Sequence, residues 1–456
     1  MAFIRKIKKK SGTYLAEVES YRANGKVKQR VIKYLGRDVN GIPAKKTNAE
    51  NIKLKSVKRS LDINVIYHLL EELGLTKLIE NKCILALVFS QILQKRSINR
   101  LEDWFELTEI PELLKIDNYS TKQLYLALRA TEQLDFDKIE TKLMNKFNKK
   151  YTSKQIAIID ITDTYFEGKS QEIKSRKGKE SKVRKLIQYG LAVSETNGFP
   201  LFHKTYQGNL GDSNILKDMA LELNKKNLQT IIVDRGMSSK ENIDLILNQN
   251  LKSIMGIRRN KKLERKFIKN TSNIHSVKNR IELISTTIYA QEFEYYDGKL
   301  IVIYNPHIAL ISKEKALKKG QDEDKSYGYS LIYHNTNLSV SRVVKQYFEK
   351  DIVERDFRQI KGVLNLRPIR VWLKEHIEGH FRICYLAYAV LSFMEFKLKK
   401  HKMHFLEALD SLRNGYKVTL EDEINNNKWD LTVPLEPKQK QILKLLECSV
   451  QKGRKI

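Results

Sequence analysis

The chain has 456 residues, which is long for a single hydrophobic core and predicts two to four domains. Hydrophobic residues make up 41% of it, an ordinary share, but 84 Lys and Arg against 54 Asp and Glu give a net charge of +30. A surplus of this size indicates a polyanionic partner, because each cation beside a phosphate releases a condensed counterion. A general lysine bias is the alternative explanation.

Composition and pattern exclude several classes of protein. Cys83, Cys384 and Cys448 lie far apart and form no CxxC pair, so neither a disulfide framework nor a zinc centre is expected, and a reducing cytoplasm fits. The N-terminal MAFIRKIKKK has no apolar core behind its charges and does not resemble a signal peptide. The longest apolar runs, around 83–93 and 383–394, fall short of the roughly 20 residues that a membrane span requires.

Residues 1–36 alternate apolar and polar side chains around the turn signals KSGT and ANGK, which predicts a basic three-stranded β-meander. The polar segment 37–56 is predicted to be a linker, so the first domain is expected over 1–50. Residues 1–60 hold 17 Lys and Arg and 4 Asp and Glu, and therefore carry a surplus of 13 of the 30 charges. An evenly spread lysine bias does not concentrate charge in this way.

A helical pattern follows. Apolar residues recur at spacings of three and four in DINVIYHLLEELGL, CILALVFSQIL and STKQLYLALRATEQL. Several short helices in a basic chain suit a nucleic-acid-binding module, and a purely structural bundle is an equal alternative. We predict a helical domain over 51–152.

Strands and helices then alternate, from QIAIIDITDTYF to LKSIMGI, in the order strand, strand, strand, helix, strand, helix, strand. This order predicts an α/β fold, a mixed sheet with an antiparallel start, as in an RNase H-like core whose first part covers 153–257. Residues 258–336 do not continue this alternation of strands and helices. They contain a hairpin signal at Asp297-Gly298 and the charged segment SKEKALKKGQDEDKSYG, and we predict that they form a β-rich insertion.

Two long helices are predicted after the insertion, from about Ser339 to Val363 and from about 374 to 398, the second apolar enough to be buried. They complete the core over 337–398. Residues 399–456 are predicted to form a helical tail.

Two aspartates follow apolar runs: Asp160 ends IAII and Asp234 ends TIIV, so each is expected at the carboxyl end of a strand, where sites in open α/β sheets gather. Adjacent carboxylates repel each other, and a pair of Mg²⁺ ions would neutralise them while clamping the attacking and leaving oxygens in phosphodiester chemistry. Asp163, three residues after Asp160 and so on the opposite strand face, is a minor alternative ligand, as is Glu167.

The helix VSRVVKQYFEKDIVERDFRQIKGVL supplies a third carboxylate. Tyr347, Lys350, Glu354 and Lys361 fall within an arc of about 60° at about 100° per residue. A face with one ring, two cations and one carboxylate is poor for a hydrophobic contact and suited to a metal beside a phosphate backbone. For this helix alone, a solvated amphipathic face is the favoured explanation.

Together these motifs resemble the DDE transposases of bacterial and archaeal insertion sequences, in the group marked by a Y-x2-R-x3-E-x6-K signature. The signature here is YFEKDIVERDFRQIK, from Tyr347 to Lys361, with Lys350 where the family usually has Arg. DITDTYFE at Asp160 and IIVDRGMSSKEN around Asp234 match the family's first two motifs, and YQGNLGDSN lies between them. The resemblance covers nearly the whole chain, least clearly 60–150 and 400–456.

The resemblance implies a role for each matched residue. The catalytic metal ligands would be Asp160, Asp234 and Glu354, holding two Mg²⁺ ions that Mn²⁺ can replace. The residues holding DNA phosphates would be Tyr347, Lys350 and Lys361, with Arg235 either contacting DNA or neutralising the site. Lys lacks the bidentate fork of Arg, so looser phosphate geometry is expected at position 350.

The implied reaction is cut-and-paste transposition. Water attacks the phosphodiester at an end of the element and frees a 3′-hydroxyl, which then attacks the target strand. The resemblance also implies hairpin-ended intermediates, a homodimer that holds two terminal inverted repeats of double-stranded DNA, and a cytoplasmic, nucleoid-associated location without a membrane. A metal-dependent nuclease that cannot join strands and an inactive DNA-binding remnant are the alternatives.

A flipped base at the hairpin would need an aromatic partner, and relatives often use Trp. Trp104, Trp372 and Trp429 all lie outside the predicted insertion, so another ring must substitute. The available aromatic residues around the hairpin signal are Tyr289, Phe293, Tyr295, Tyr296 and Tyr304.

The concentration of charge predicts that recognition of the DNA ends lies within residues 1–150. A fragment of these residues is expected to bind the terminal repeat more tightly than random DNA, with an affinity that falls steeply as salt rises, since phosphate contacts release counterions. Fluorescence anisotropy with both DNAs across a salt series measures this. Equal affinities for the two DNAs would indicate that the insertion or the C-terminal tail recognises the DNA ends instead.

Overall fold

A computed structural model describes residues 2–9, 12–39, 41–43, 49–94, 96–151, 156–165, 173, 175–177, 183–196, 198–258, 261–271, 273–284, 286–322, 324–364, 371, 373–424, 427–449 and 454–455. The chain divides into two compact units. The first comprises Met1–Val65, Glu106–Glu109 and Leu406–Ile456, and the second Ile66–Phe105 and Ile110–Phe405. Within the described residues, no helix has the length and apolar character that crossing a membrane would require.

The strands and helices are numbered in chain order. The strands are β1 (Ala2–Lys9), β2 (Gly12–Ala23), β3 (Lys26–Val39), β4 (Ile42–Pro43), β5 (Ile52–Arg59), β6 (Ile156–Tyr165), β7 (Ser175–Lys177), β8 (Val183–Ser194), β9 (Pro200–Gln207), β10 (Thr230–Val233), β11 (Lys252–Gly256), β12 (Arg280–Glu282), β13 (Thr287–Tyr295), β14 (Gly298–Tyr304), β15 (Tyr329–His334), β16 (Tyr416–Asp422), β17 (Asn427–Thr432) and β18 (Arg454–Lys455).

The helices are α1 (Leu61–Leu73), α2 (Leu75–Leu78), α3 (Lys82–Leu93), α4 (Glu102–Glu106), α5 (Ile110–Leu114), α6 (Thr121–Ala130), α7 (Phe136–Tyr151), α8 (Asp212–Lys225), α9 (Lys240–Asn248), α10 (Lys261–Asn270), α11 (Pro306–Lys318), α12 (Val340–Leu364), α13 (Lys374–Lys399), α14 (Phe405–Leu412) and α15 (Pro437–Leu445).

The first unit contains two four-stranded sheets. Strands β1 to β4 pair antiparallel in chain order, and β2 turns into β3 at Asn24-Gly25, where both residues have positive φ (53° and 72°), as a tight hairpin turn requires. The other sheet has the order β18-β17-β16-β5, so strands from both ends of the sequence share it.

The second of these sheets differs from the predictions for both ends of the chain. Strand β5 begins inside the segment predicted to be a linker, and β16 and β17 lie inside the predicted helical tail. These short strands are stabilised by pairing across most of the sequence, which local pattern cannot show. A fragment ending at residue 150 would hold β5 without β16, so binding to the DNA ends is better compared on full-length variants.

A ten-stranded sheet runs through the second unit in the order β12-β13-β14-β15-β11-β10-β6-β8-β7, with β9 also paired to β8. Strands β6, β10 and β11 are parallel, and β15 and β8 flank them antiparallel. Strands β12 to β15, in the predicted insertion, thus continue the sheet that contains β6. The fold is therefore mixed α/β around one large mixed sheet.

The structure contains the strands and helices predicted for 154–257, and α12 and α13 lie where the two long helices are predicted. Helix α11 is a difference, because much of it falls in the segment predicted to be a charged loop. The Asn305 side chain caps it by accepting from the Ile308 N–H, and Pro306 occupies the first turn. The helix buries only Ala309 and Ala316, too little to give a periodic signal.

Alternation along the strands gives the sheet two distinct faces. Ile159, Ile161 and Val233 belong to a large buried cluster that includes apolar residues of α8 and α9. On the opposite face, the ring of Phe381 in α13 stacks on Tyr189 with centroids 5.1 Å apart. Side chains at positions 158 and 160 of β6 point to this second face.

A buried group of charged residues ties α7, α8 and β9 together. The Lys226 ammonium, after the end of α8, lies 3.2 Å from a carboxylate oxygen of Glu140 and 3.8 Å from one of Glu222, and all three side chains are at most 5% exposed. The other Glu140 oxygen lies 2.8 Å from Nδ1 of His203 and accepts the backbone N–H of the same residue at 3.0 Å. The Lys226 ammonium thus contacts both buried carboxylates, and Glu222 also has the ammonium of Lys204 at 3.4 Å.

We expect Lys226→Met to lower the free energy of unfolding by about 3–5 kcal/mol, because it leaves the buried carboxylate of Glu140 without its ammonium partner. Lys225→Met is the matched control: Lys225 also contacts Glu222, at 3.3 Å, but its side chain is 70% exposed, so a change within about 1 kcal/mol is expected. Urea unfolding of both full-length variants, followed by fluorescence, measures the difference. Equal urea midpoints for the two variants would show that the buried ion pairs of Lys226 stabilise the fold no more than the exposed contact of Lys225.

Candidate active site

The register of two parallel strands brings Asp160 and Asp234 together. In the pairing of β6 with β10, Ile158 lies opposite Ile232 and Ile159 opposite Val233. Asp160 of β6 and Asp234, which directly follows β10, come next, so both are directed to one face at the same level, and adjacent strands are about 4.8 Å apart. This register directs both carboxylates to the edge where the pairing of β6 with β10 ends.

The position of Asp160 within its strand differs from the prediction. Strand β6 does not end there but continues to Tyr165, because β8 pairs with it along its whole second half, Asp160 opposite Leu191. Only the pairing with β10 stops, since Asp234 leaves the sheet to begin a 3₁₀ turn. Asp160 is half-buried, and its Oδ2 accepts a hydrogen bond from the Thr162 hydroxyl at 3.1 Å.

The alternative ligands lie elsewhere. Asp163 pairs with Gln188, and alternation places it on the sheet face that carries Ile159 and Ile161. Glu167 lies outside the described residues. Asp163 and Asp160 therefore point to opposite faces, as their spacing predicts.

Lys350 of α12 reaches the aspartate pair. Its Nζ lies 3.3 Å from Oδ1 of Asp234, although the Lys350 side chain is only 3% exposed and that of Asp234 is 62% exposed. The same ammonium lies 5.5 Å from the ring centroid of Tyr347. An ammonium at this place offsets the repulsion between two adjacent carboxylates.

Tyr347 is also buried, at 5% exposure, and its hydroxyl lies over Gly256 at the end of β11. A Cβ on Gly256 would be 2.0 Å from that hydroxyl oxygen and 2.7 Å from Cγ of Arg235. Burial raises the pKa of Tyr347, although the charges of Lys350 and Arg235 beside it act in the opposite direction. Arg235 itself is exposed.

Gly256 is the residue that sequence reasoning missed. The available signal was a glycine ending the apolar strand run KSIMG, which is typical of a place where another group approaches the backbone closely. Val233 pairs with Met255, so Asp234 and Gly256 follow at the same level of the sheet.

The remaining predicted residues lie on α12. Glu354 and Lys361 belong to its helical backbone, but their side chains lie outside the described part of the chain. Among the side chains that are described, no three of His, Cys, Asp or Glu converge into a metal site. The two aspartates are thus the described part of the predicted set of three.

Comparison with known families identifies the chain. Residues 151–390 match the family described as "Transposase DDE domain", and residues 4–38 match "IS1634 family transposase, N-terminal domain". The first match covers more than half of the sequence. The chain belongs to the DDE transposases of insertion sequences. The resemblance seen in the motifs is therefore confirmed, and the protein is a metal-dependent polynucleotidyl transferase and endonuclease that acts on DNA.

Other comparisons find only distant similarity to the transposase. Curated protein sequences give no match. Among solved structures, a piggyBac transposase synaptic complex with hairpin DNA is 12% identical with a TM-score of 0.43, covering 77% of this chain and 76% of that one. The Argonaute of Marinitoga piezophila, in complex with a 5′ OH guide RNA, is 10% identical with a TM-score of 0.22, covering 49% and 32%.

The transposase departs from its family signature at one position that the structure describes. Lys350 stands where Arg is usual, and it contacts Asp234. A compact ammonium makes this contact without needing the planar fork of a guanidinium.

Proposed function

We propose that this transposase cuts the ends of its insertion sequence and joins them to target DNA with Asp160, Asp234 and Glu354 as its catalytic metal ligands. The observation that carries the proposal is the register that sets Asp160 beside Asp234 on adjacent parallel strands. The helical backbone of α12 extends through position 354, four residues after the lysine that contacts Asp234. Residues four apart lie on the same side of a helix.

We propose that the centre of the second unit is an RNase H-like core. The strand order β9-β8-β6-β10-β11, with parallel β6, β10 and β11 and with α8 and α9 as connections, supports this. In this proposal 153–257 and 337–398 form the core and 258–336 is inserted between them. Residues 1–50 and 51–152 serve the DNA ends.

The described residues fit a divalent cation. The carboxylates of Asp160 and Asp234 lie at one level of adjacent strands and supply the hard oxygen ligands that Mg²⁺ prefers. The ammonium of Lys350, 3.3 Å from Asp234, is a positive charge already held beside this pair. We propose two Mg²⁺ ions, replaceable by Mn²⁺, held by Asp160, Asp234 and Glu354. When bound, they would supply the charge that stabilises the attacking and leaving oxygens.

The proposed reaction begins and ends with a displacement at phosphorus. Between these two steps the freed 3′-hydroxyl attacks the opposite strand to close a hairpin, and water reopens the hairpin to give the same 3′-hydroxyl. In the first, the oxygen of water bonds to phosphorus, and the 3′-oxygen of the element end leaves as a hydroxyl. In the second, that hydroxyl bonds to a phosphorus of the target strand, and a target 3′-oxygen leaves. The residues that would hold DNA phosphates during both steps are Tyr347, Lys350, Lys361 and Arg235, of which Arg235 is exposed beside Asp234. We propose a homodimer on two terminal inverted repeats, within the cytoplasmic nucleoid.

We expect Asp160→Asn, Asp234→Asn and Glu354→Gln each to lower cleavage by several orders of magnitude while leaving end binding intact, because each removes a ligand charge and keeps the volume. Asp163→Asn is the matched control, since this residue faces the other side of β6. Cleavage of labelled ends in Mg²⁺ and gel-shift binding measure the two effects. Near-normal cleavage by any one of the three variants would remove that residue from the ligand set.

A strand-transfer assay with a pre-cut end separates the proposed function from its alternatives. Joining of that end to target DNA is the expected result. Hydrolysis without joining would identify a nuclease, and binding without either reaction would identify an inactive remnant.

The structure favours one aromatic residue as the partner of a flipped base. Four of the five candidate rings pack against the large buried cluster, namely Tyr289, Phe293, Tyr295 and Tyr304. Tyr296 is instead 55% exposed, at the tip of the β13–β14 hairpin, with an unusual positive φ of 47°. The ammonium of Lys240 lies 5.1 Å from its ring centroid, which adds a positive charge beside this flat surface. We propose Tyr296 as the stacking residue.

We expect Tyr296→Ala to slow hairpin closure roughly 5- to 150-fold, the equivalent of about 1–3 kcal/mol of lost base stacking, while the first nick proceeds unchanged. Tyr296→Trp keeps a flat ring and is expected to retain closure. Fluorescence of 2-aminopurine at the terminal bases, with gel analysis of nick and hairpin, follows both steps. If Tyr296→Ala closes hairpins at the normal rate, the ring comes from elsewhere or no hairpin forms.

A further inference from the structure

We infer that Gly256 is a socket for Tyr347 that sets the position of α12 across the sheet, so that position 354 falls beside Asp160. This rests on the proposed function, because it assumes that Glu354 completes the metal site. It adds a positioning role for Tyr347 and Lys350 to the phosphate contacts that the family signature implies.

Three residues form a row on one face of the sheet. Asp160 follows the pair Ile159–Val233, and Asp234 and Gly256 follow the pair Val233–Met255, so all three lie at one level on β6, β10 and β11 or directly beyond them. Adjacent strands are about 4.8 Å apart, so Asp234 lies about 5 Å and Asp160 about 10 Å from Gly256 along this row.

Helix α12 makes two described contacts with this row. Tyr347 lies over Gly256, with its hydroxyl where a Cβ would be, and Lys350 reaches Asp234 at 3.3 Å. Both side chains are at most 5% exposed, so these contacts are buried packing rather than chance surface approaches. Successive contacts along the helix therefore fall on successive strands, and the helix crosses from β11 toward β6.

The spacing of the helix matches that of the row. At about 1.5 Å of rise per residue, position 350 lies about 4.5 Å beyond 347, and position 354 about 10.5 Å beyond it. The corresponding distances from Gly256 are about 5 Å to Asp234 and about 10 Å to Asp160. Position 354, the third of these helix positions, therefore falls beside Asp160, the third residue of the row on the sheet.

The absence of a side chain at position 256 is what permits this arrangement. A Cβ there would overlap the Tyr347 hydroxyl at 2.0 Å and its Cζ at 2.8 Å, and it would also lie 2.7 Å from Cγ of Arg235. Because several atoms converge, the strain cannot be relieved by turning one flexible chain end. An alanine would lift the ring and, with it, the helix.

A thiol cross-linking experiment tests the position of 354 directly. In the full-length chain, Glu354→Cys combined with Asp160→Cys is expected to be linked by a short bifunctional thiol reagent, as mapped by mass spectrometry against the three native cysteines. The matched control combines Glu354→Cys with Asp163→Cys, because position 163 lies on the other face. Equal yields for both pairs, or a higher yield for the control, would overturn the inference.

Substitution of Gly256 tests the socket. Gly256→Ala is expected to weaken Mn²⁺ binding, measured by electron paramagnetic resonance, at least tenfold, and to reduce the cross-link between 160 and 354. Adding Tyr347→Phe, which removes the overlapping hydroxyl, is expected to restore part of both. Gly211→Ala is the control, since a Cβ at Gly211 meets no atom within 4 Å.

The Mn²⁺-binding measurements distinguish a failure of the proposed metal site from a failure of the Gly256 socket. If Asp160→Asn binds Mn²⁺ as tightly as the unaltered chain, the proposed metal site fails, whatever Gly256→Ala does. If Asp160→Asn loses Mn²⁺ while Gly256→Ala and Gly211→Ala bind it equally, the site stands and the socket is wrong. Should Gly256→Ala fail to fold, as judged by circular dichroism, recovery of the fold by added Tyr347→Phe supports the socket and continued misfolding contradicts it.

Discussion

The pairing of Ile159 with Val233 is the constraint on which the rest of the catalytic unit depends. This pairing determines that Asp160 and Asp234 lie at the same level of two adjacent strands. The pairing itself is stabilised by the apolar side chains that alternate along β6 and β10. A slip of one residue would send one aspartate to the opposite face, since side chains alternate with a period of two. The repulsion that this register creates is offset by the ammonium of Lys350.

Lys350 connects the charge of the site with the packing of its helix. Its side chain is almost fully buried, yet its ammonium lies 3.3 Å from the exposed carboxylate of Asp234. A compact ammonium can make this contact with a single carboxylate oxygen, whereas a guanidinium would offer a planar fork that one oxygen does not use. Lys at position 350, where the family usually has Arg, therefore suits a side chain that contacts the carboxylate at the end of β10.

Much of the architecture followed from the sequence because its signals are local. The runs IAII and TIIV each form a buried strand that leads to an aspartate, and the long apolar helix α13 needs no distant partner to be recognised. What was missed depends on pairs far apart in the chain. Gly256 gains its meaning only from Tyr347, and the strands at 416–432 only from β5. The tip residue Tyr296 was separable from its neighbours only once their burial was known.

The sheet that joins β5 to β16 has a consequence for biosynthesis. Residues 60–415 separate the two strands, so at about 5–20 residues per second the ribosome needs roughly 20–70 seconds between making one and making the other. During that interval β5 is an unpaired edge carrying Ile52, Leu54 and Val57, which are exposed even in the finished sheet. The sheet of β1 to β4 is synthesised first, but the sheet that contains β5 is completed only near the end of translation, and prematurely terminated products lack it.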